Sequence, residues 1–106
     1  MQQPPAPKTH GQFTARFPSL AKAWEEMAEA GRQGPLDEQT QRLVKLAVAI
    51  AAMREGAVHA SVRKARAMGI TTEAIEQVVA LSAGTLGMPS TVAAYTWVRD
   101  VLDGEG

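Results

Sequence analysis

The chain has 106 residues and no cysteine, and 11 basic residues balance 11 acidic ones. The length fits one small domain, the lack of thiols excludes disulfides and cysteine nucleophiles, and zero net charge argues against a nucleic-acid partner. The longest apolar run, residues 46–53, is far shorter than the roughly 20 residues of a membrane span, and residues 1–9 lack the apolar core of a signal peptide. We therefore expect a cytoplasmic protein with no membrane partner.

The first predicted segment is a tail. Pro4, Pro5 and Pro7 favour an extended chain that buries little. We predict a flexible Pro-rich tail over residues 1–12 and a single helical domain over residues 13–106.

Two helices are predicted next, because apolar residues recur at helical spacing. The first runs from about Pro18 to Gly31, with proline in its first turn. The second begins near Asp37, a good N-cap, and carries the broadest apolar stripe, so we expect it to be the most buried helix.

Three more helices complete the pattern, and no segment alternates as a strand would. The third covers roughly Glu55 to Met68, and Gly69 supplies its stop. The fourth begins at Thr71 or Thr72, and the fifth follows residues 88–90. The predicted fold class is all-α, a compact bundle of about five helices.

Several segments carry a family pattern. They are the apolar run 43–51, residues 62–65, the turn and helix start at 67–75, and Gly87-Met88-Pro89 before an Ala-rich helix. The glycine-to-helix turn at 69–75 is the most specific piece. Together they resemble the carboxymuconolactone decarboxylase family, which includes the alkylhydroperoxidase D-like proteins. The resemblance covers about residues 36–102 and implies an all-α, alkylhydroperoxidase D-like fold that assembles into trimers or hexamers.

The resemblance also places the family's redox residues on this sequence. The peroxidase branch uses a Glu, a Cys-x-x-Cys pair and a His, which fall at Arg42, at Arg54 and Ala57, and at Ser61. A thiol peroxidase needs a thiolate and a second, resolving thiol. The resemblance therefore implies a member without the Cys-x-x-Cys motif and without thiol peroxidase activity. The decarboxylase branch keeps a His where this chain has Ser61, so the chain departs from that branch too.

One group of residues retains the means for acid/base chemistry. Glu55, His59 and Arg63 are spaced four residues apart, so they share one helical face. A carboxylate beside an imidazole orients it and favours its charged form, and an arginine can hold a substrate carboxylate. We predict His59 and Glu55 as catalytic residues and Arg63 and Arg54 as substrate-binding residues, acting on a small carboxylated molecule.

The chemistry so predicted is that of a cofactor-free lyase or isomerase. A Glu55/His59 pair offers too few ligands for a metal site, so we expect no metal and no other cofactor. We expect a homo-oligomer, most simply a trimer or hexamer, with a small-molecule ligand and no nucleic acid.

Two alternatives remain open. Exposed charge pairs at this spacing are common on helices, and the Glu55 face points roughly opposite the family's redox positions. The chain would then be a non-catalytic, oligomeric binding or scaffold relative with a decayed redox site. Arg42 and Arg54 could instead form an anion site where the family has its redox centre.

Overall fold

The computed structural model describes residues 8–104, and this range forms six α-helices with no strand. They are α1 (Lys8–Arg16), α2 (Pro18–Arg32), α3 (Glu38–Ala51), α4 (Glu55–Ala67), α5 (Thr72–Leu86) and α6 (Met88–Leu102). The all-α prediction is confirmed, and the five predicted helices correspond to α2–α6.

Helix α1 spans the predicted boundary between tail and domain. It begins at Lys8, so residues 8–12 are helical where a flexible tail is predicted, and residues 1–7 lie outside the described range. Its residues are all unburied, and the rings of Phe13 and Phe17 lie 5.3 Å apart at its end. Because residues 8–16 lack an apolar stripe, periodicity does not predict this helix.

Local hydrogen bonds fix where the central helices begin. The Asp37 carboxylate accepts from the backbone N–H of Thr40 at 2.7 Å, and the Thr71 hydroxyl accepts from the backbone N–H of Ala74 at 3.1 Å. Each bond satisfies a donor that the first turn of a helix leaves free. Hydrogen bonds from Thr40, above all the one from its backbone N–H, lower the pKa of Asp37. The predicted N-cap Asp37 is confirmed, and of the two predicted starts of the next helix, Thr71 is the N-cap.

Four connections between helices contain a residue with positive φ, among them those at Gly87 and Met53. Gly87, with φ of 83°, joins α5 directly to α6, a conformation that glycine adopts without a steric penalty. Met53, with φ of 54°, lies between α3 and α4, and unlike glycine it carries a side chain that disfavours this conformation. Backbone hydrogen bonds from Met53 to Ile50 and from Arg54 to Ala49 hold this turn, so α3 and α4 are separate helices.

The core lies among α3, α4, α5 and α6. Helix α4 packs between α3 and α6, and α5 contacts both of those helices from the other side. Each large aliphatic side chain buried there contributes about 1.5–3 kcal/mol. The largest fully buried side chains are Leu46, Ile50, Val58, Val62, Ile75 and Val98.

Helices α1 and α2 stand apart from this core. They pack against each other, and neither contributes a buried residue. None of the helices in residues 8–104 has the length and hydropathy needed to cross a membrane. Polar side chains of α4 contact α3 on one side of the helix, through Ser61, and α6 on the other, through His59. We call these two lines of contact the α3–α4 seam and the α4–α6 seam.

Candidate functional site

The α4–α6 seam brings His59 against an acidic residue. The Nε2 atom of His59 lies 3.0 Å from Oδ2 of Asp100, and their side chains are 23% and 32% exposed. A carboxylate is an acceptor only, so Nε2 carries the hydrogen and donates it. In the neutral imidazole, Nδ1 is then left as the proton acceptor.

Asp100, and not the predicted Glu55, is the carboxylate within hydrogen-bond distance of His59. Oε2 of Glu55 lies 4.0 Å from His59 Nε2, beyond hydrogen-bond distance, and the Glu55 side chain is mostly exposed. Asp100 is 41 residues from His59 in the chain, so helical spacing gives no sign of it. The one available signal is a carboxylate between the apolar residues Val98 and Val101 of α6.

The two predicted arginines lie on either side of His59 along the chain, one before α4 and one within it. Arg63 is one turn beyond His59 on α4, half-buried and already engaged with a neighbouring group. Arg54 is exposed and precedes the helix as its N-cap residue. Arg66 uses Nη1 to bond the Val101 carbonyl at 2.9 Å, which ties the end of α4 to the end of α6.

Three side chains at this seam have the atoms to hold a metal ion. One ligand atom from each of Glu55, His59 and Asp100 lies within 4.8 Å of the other two. One imidazole and two carboxylates suit Zn²⁺ or Mn²⁺. A cation here would replace the hydrogen that bridges His59 and Asp100.

The α3–α4 seam carries a different pair. Ser61 lies about 200° around the helix from His59 and is buried toward α3. There Nη1 of Arg42 donates to Ser61 Oγ at 3.3 Å. These two residues occupy the positions at which the family resemblance places a Glu and a His. The structure thus brings those positions together, with an arginine and a serine in them.

One N–H donor of the Arg42 side chain lacks an acceptor among the described residues. Its Nε is buried and has no partner among the described residues. Leaving a buried donor unpaired costs about 1–3 kcal/mol. Burial also lowers the pKa of Arg42, because a charged group loses hydration there.

A cavity opens beside Arg42, and we name it the Arg42 pocket. Its volume is about 240 Å³, and its lining residues come from the end of α2, from α3 and from the end of α4: Arg32, Glu38, Gln41, Arg42, Lys45 and Met68. Partial burial is the main cause of a lowered Lys64 pKa, and the nearby charges of Arg42 and Lys45 lower it further. Cations therefore outnumber acids at this pocket. Arg54 is not among its lining residues.

The geometry defines a cysteine-free helical domain with one polar seam on each side of α4. The carboxymuconolactone decarboxylase family model matches residues 18–100. Since the match spans most of the chain, the protein belongs to that family, as a member without Cys-x-x-Cys. The resemblance drawn from the sequence is confirmed. No curated protein and no solved structure matches the chain.

Proposed function

We propose that this family member carries out cofactor-free acid/base chemistry on a small carboxylated molecule, with His59 as the proton-transfer group. The observation that supports this most directly is the 3.0 Å contact between His59 and Asp100 at a partly enclosed helix seam. An imidazole held by a carboxylate is a common general base, because the partner fixes its tautomer and stabilises the imidazolium that forms.

The proposed roles follow from the positions. His59 Nδ1 accepts a proton from carbon next to a carboxylate or carbonyl of the substrate. It returns this proton to a different atom of the substrate in an isomerase reaction, or to the group that leaves in a lyase reaction. Asp100 positions His59, and Glu55 adds negative charge from 4.0 Å away. Arg63 and Arg54 are proposed to bind the substrate carboxylate. The reaction would be a lyase or isomerase reaction. Thiol peroxidase chemistry is outside the proposal, because the chain has no cysteine.

The test measures proton exchange in D₂O. A panel of small carboxylic acids with acidic C–H bonds, such as oxaloacetate, acetoacetate and lactone carboxylic acids, is followed by ¹H NMR. We expect the protein to speed deuterium incorporation into at least one of them. His59→Gln should lower that rate by about 10²–10⁴-fold, the usual contribution of a general base. His10→Gln, at the exposed histidine of α1, is the matched control and should leave the rate unchanged.

Two outcomes contradict this proposal. One is exchange no faster than without protein across the panel, or equal in the His59→Gln variant. The other is activity that EDTA abolishes and Zn²⁺ restores, because Glu55, His59 and Asp100 would then be acting as metal ligands.

A non-catalytic, oligomeric binding or scaffold role is the second candidate, and the exposed apolar side of α1 and α2 favours it. Trp24 is 64% exposed and Met27 62%, and both line a largely apolar cavity of about 350 Å³ between the two helices. Large apolar patches on a small protein usually mark an interface. An assembled protein with no exchange activity on the panel would support this candidate over the first.

A further inference from the structure

We propose that the Arg42 pocket binds a small organic carboxylate, which accepts hydrogen bonds from the Arg42 guanidinium. The site is separate from the His59–Asp100 pair, since Arg42 contacts Ser61 on the α3 side of α4 whereas His59 faces α6. The inference therefore does not rest on the proposed function.

Uncompensated positive charge is the first support. None of Arg42, Lys45 and Lys64 takes part in an ion pair in the part of the chain that the structure describes. Arg32, at the rim, is paired with Glu29. Among the described residues, Glu38 is the one acid in the lining, beside the cations Arg32, Arg42 and Lys45. Burial is the main cause of the lowered Lys64 pKa, and a bound anion would relieve the smaller part that comes from repulsion by Arg42 and Lys45.

The state of the Arg42 side chain is the second support. Its Nη1 is held by Ser61, so the guanidinium has a fixed anchor, while its buried Nε has no acceptor among residues 8–104. A guanidinium presents its N–H donors as a planar fork that matches the two oxygens of a carboxylate. An entering carboxylate would supply an acceptor for Nε.

The size of the pocket indicates the kind of anion. At about 240 Å³ it falls below the usual range for drug-sized ligands, and it holds roughly eight waters at about 30 Å³ each. That is more room than a bare inorganic anion fills. Met68 and the alkyl stems of the cationic side chains offer apolar contacts to a short carbon skeleton. A compact mono- or dicarboxylate fits both the charge and the volume.

The experiment titrates the full chain with succinate as the probe, and with sulfate at matched ionic strength as the comparison. Binding is read from the NMR signal of the Arg42 Nε–H group and from the melting temperature. We expect succinate at about tenfold above its Kd to move the Nε–H signal and to raise the Tm by a few degrees, with sulfate acting more weakly. Arg42→Gln should weaken binding at least tenfold, and Lys45→Gln several-fold.

The controls separate this site from other charges. Lys22→Gln removes one positive charge from the exposed surface of α2 and should bind succinate as the unaltered chain does. The Arg42 Nε–H signal reports on the Arg42 pocket and not on the His59–Asp100 pair, so failure of the proposed function would leave this result intact. Lys45 is exposed, so its variant keeps the test valid even if Arg42→Gln does not fold.

Three results would overturn the proposal. The first is no change of the Nε–H signal or the Tm up to about 20 mM succinate. The second is an unchanged succinate affinity in both Arg42→Gln and Lys45→Gln. The third is a sulfate response equal to that of succinate, which would mean charge screening only. An Nε–H signal that shifts with protein concentration but not with succinate would also overturn it. The acceptor would then be a carboxylate of another copy of the chain.

Discussion

At the scale of single residues, hydrogen bonds join polar side chains on neighbouring helices, as between His59 and Asp100. A second example lies between α5 and α6, where Tyr95 Oη donates to Glu76 Oε2 at 2.8 Å and Arg99 Nη1 donates to the same oxygen at 3.3 Å. The hydrogen bond to Glu76 is the main cause of a raised Tyr95 pKa, because ionisation removes the donated hydrogen and places a phenolate beside a carboxylate. Arg99 opposes this shift in part.

This pair gives a clean titration, because Tyr95 is the one tyrosine in the sequence. We expect Glu76→Gln to lower the Tyr95 pKa toward the ordinary value of about 10, measured by ultraviolet absorbance of the tyrosinate. Glu73→Gln, at an exposed acid on the same helix, is the control. Equal titration curves for the two variants would mean that the Glu76 contact is absent in solution.

The same shift predicts a pH dependence of stability. The folded-state pKa of Tyr95 lies above the unfolded value, so the protonated phenol is the form that folding favours. Its contribution is fully present below the unfolded pKa and is lost as the pH rises through the folded pKa. Stability should therefore fall less steeply at alkaline pH in Glu76→Gln than in the unaltered chain, as measured by urea unfolding.

At the scale of helices, the start of α5 depends on a single hydroxyl. Thr71 is the N-cap, and its side chain accepts from the Ala74 backbone at 3.1 Å. Thr72 is the first helical residue and is exposed. The same residue type therefore occupies two adjacent positions, and only one of them caps the helix.

Alanine at each position tests this difference. Thr71→Ala should lower the free energy of unfolding by about 1 kcal/mol, because a first-turn N–H loses its acceptor. Thr72→Ala should be neutral or slightly stabilising, since alanine has the higher helix propensity. Chemical denaturation measures both. Equal losses in the two variants would show that the cap hydrogen bond contributes nothing.

At the scale of the whole molecule, α1 and α2 present an apolar surface that a single chain leaves open. Phe13, Leu20, Trp24 and Met27 are each about half exposed or more, while the core is formed by α3–α6 alone. Because exposed apolar area of this kind favours association, we expect a homo-oligomer that uses this surface. A trimer or hexamer is the state that the family resemblance implies.

Light scattering at micromolar concentration should report a multiple of the 11.3 kDa chain. Trp24→Lys should shift the assembly toward smaller species, because it places a charge in the apolar contact. Glu26→Lys, two residues further along α2, is the matched control and should keep the assembled mass. A monomer in the unaltered chain would contradict the prediction, and an unchanged mass in Trp24→Lys would place the interface elsewhere.

The sequence by itself determined the helices that depend on local signals. The apolar period along α3, the N-caps Asp37 and Thr71 and the stop at Gly69 act within a few residues, so α2–α6 were predictable with ends close to those observed. Family membership and the absence of a thiol were also visible in the sequence alone. Helix α1 was not predictable, because no apolar stripe marks it.

The tertiary structure decided which polar groups meet. His59 and Asp100 are 41 residues apart, and Arg42 and Ser61 are 19 apart, so neither pair follows from helical spacing. Periodicity gives the face of a helix on which a side chain lies, but not the helix that covers that face or its register. Those depend on how the aliphatic side chains of α3, α4 and α6 pack together. Helical spacing was therefore enough to single out His59 as a candidate site residue. Its partner Asp100 became visible only from the packing of α4 against α6.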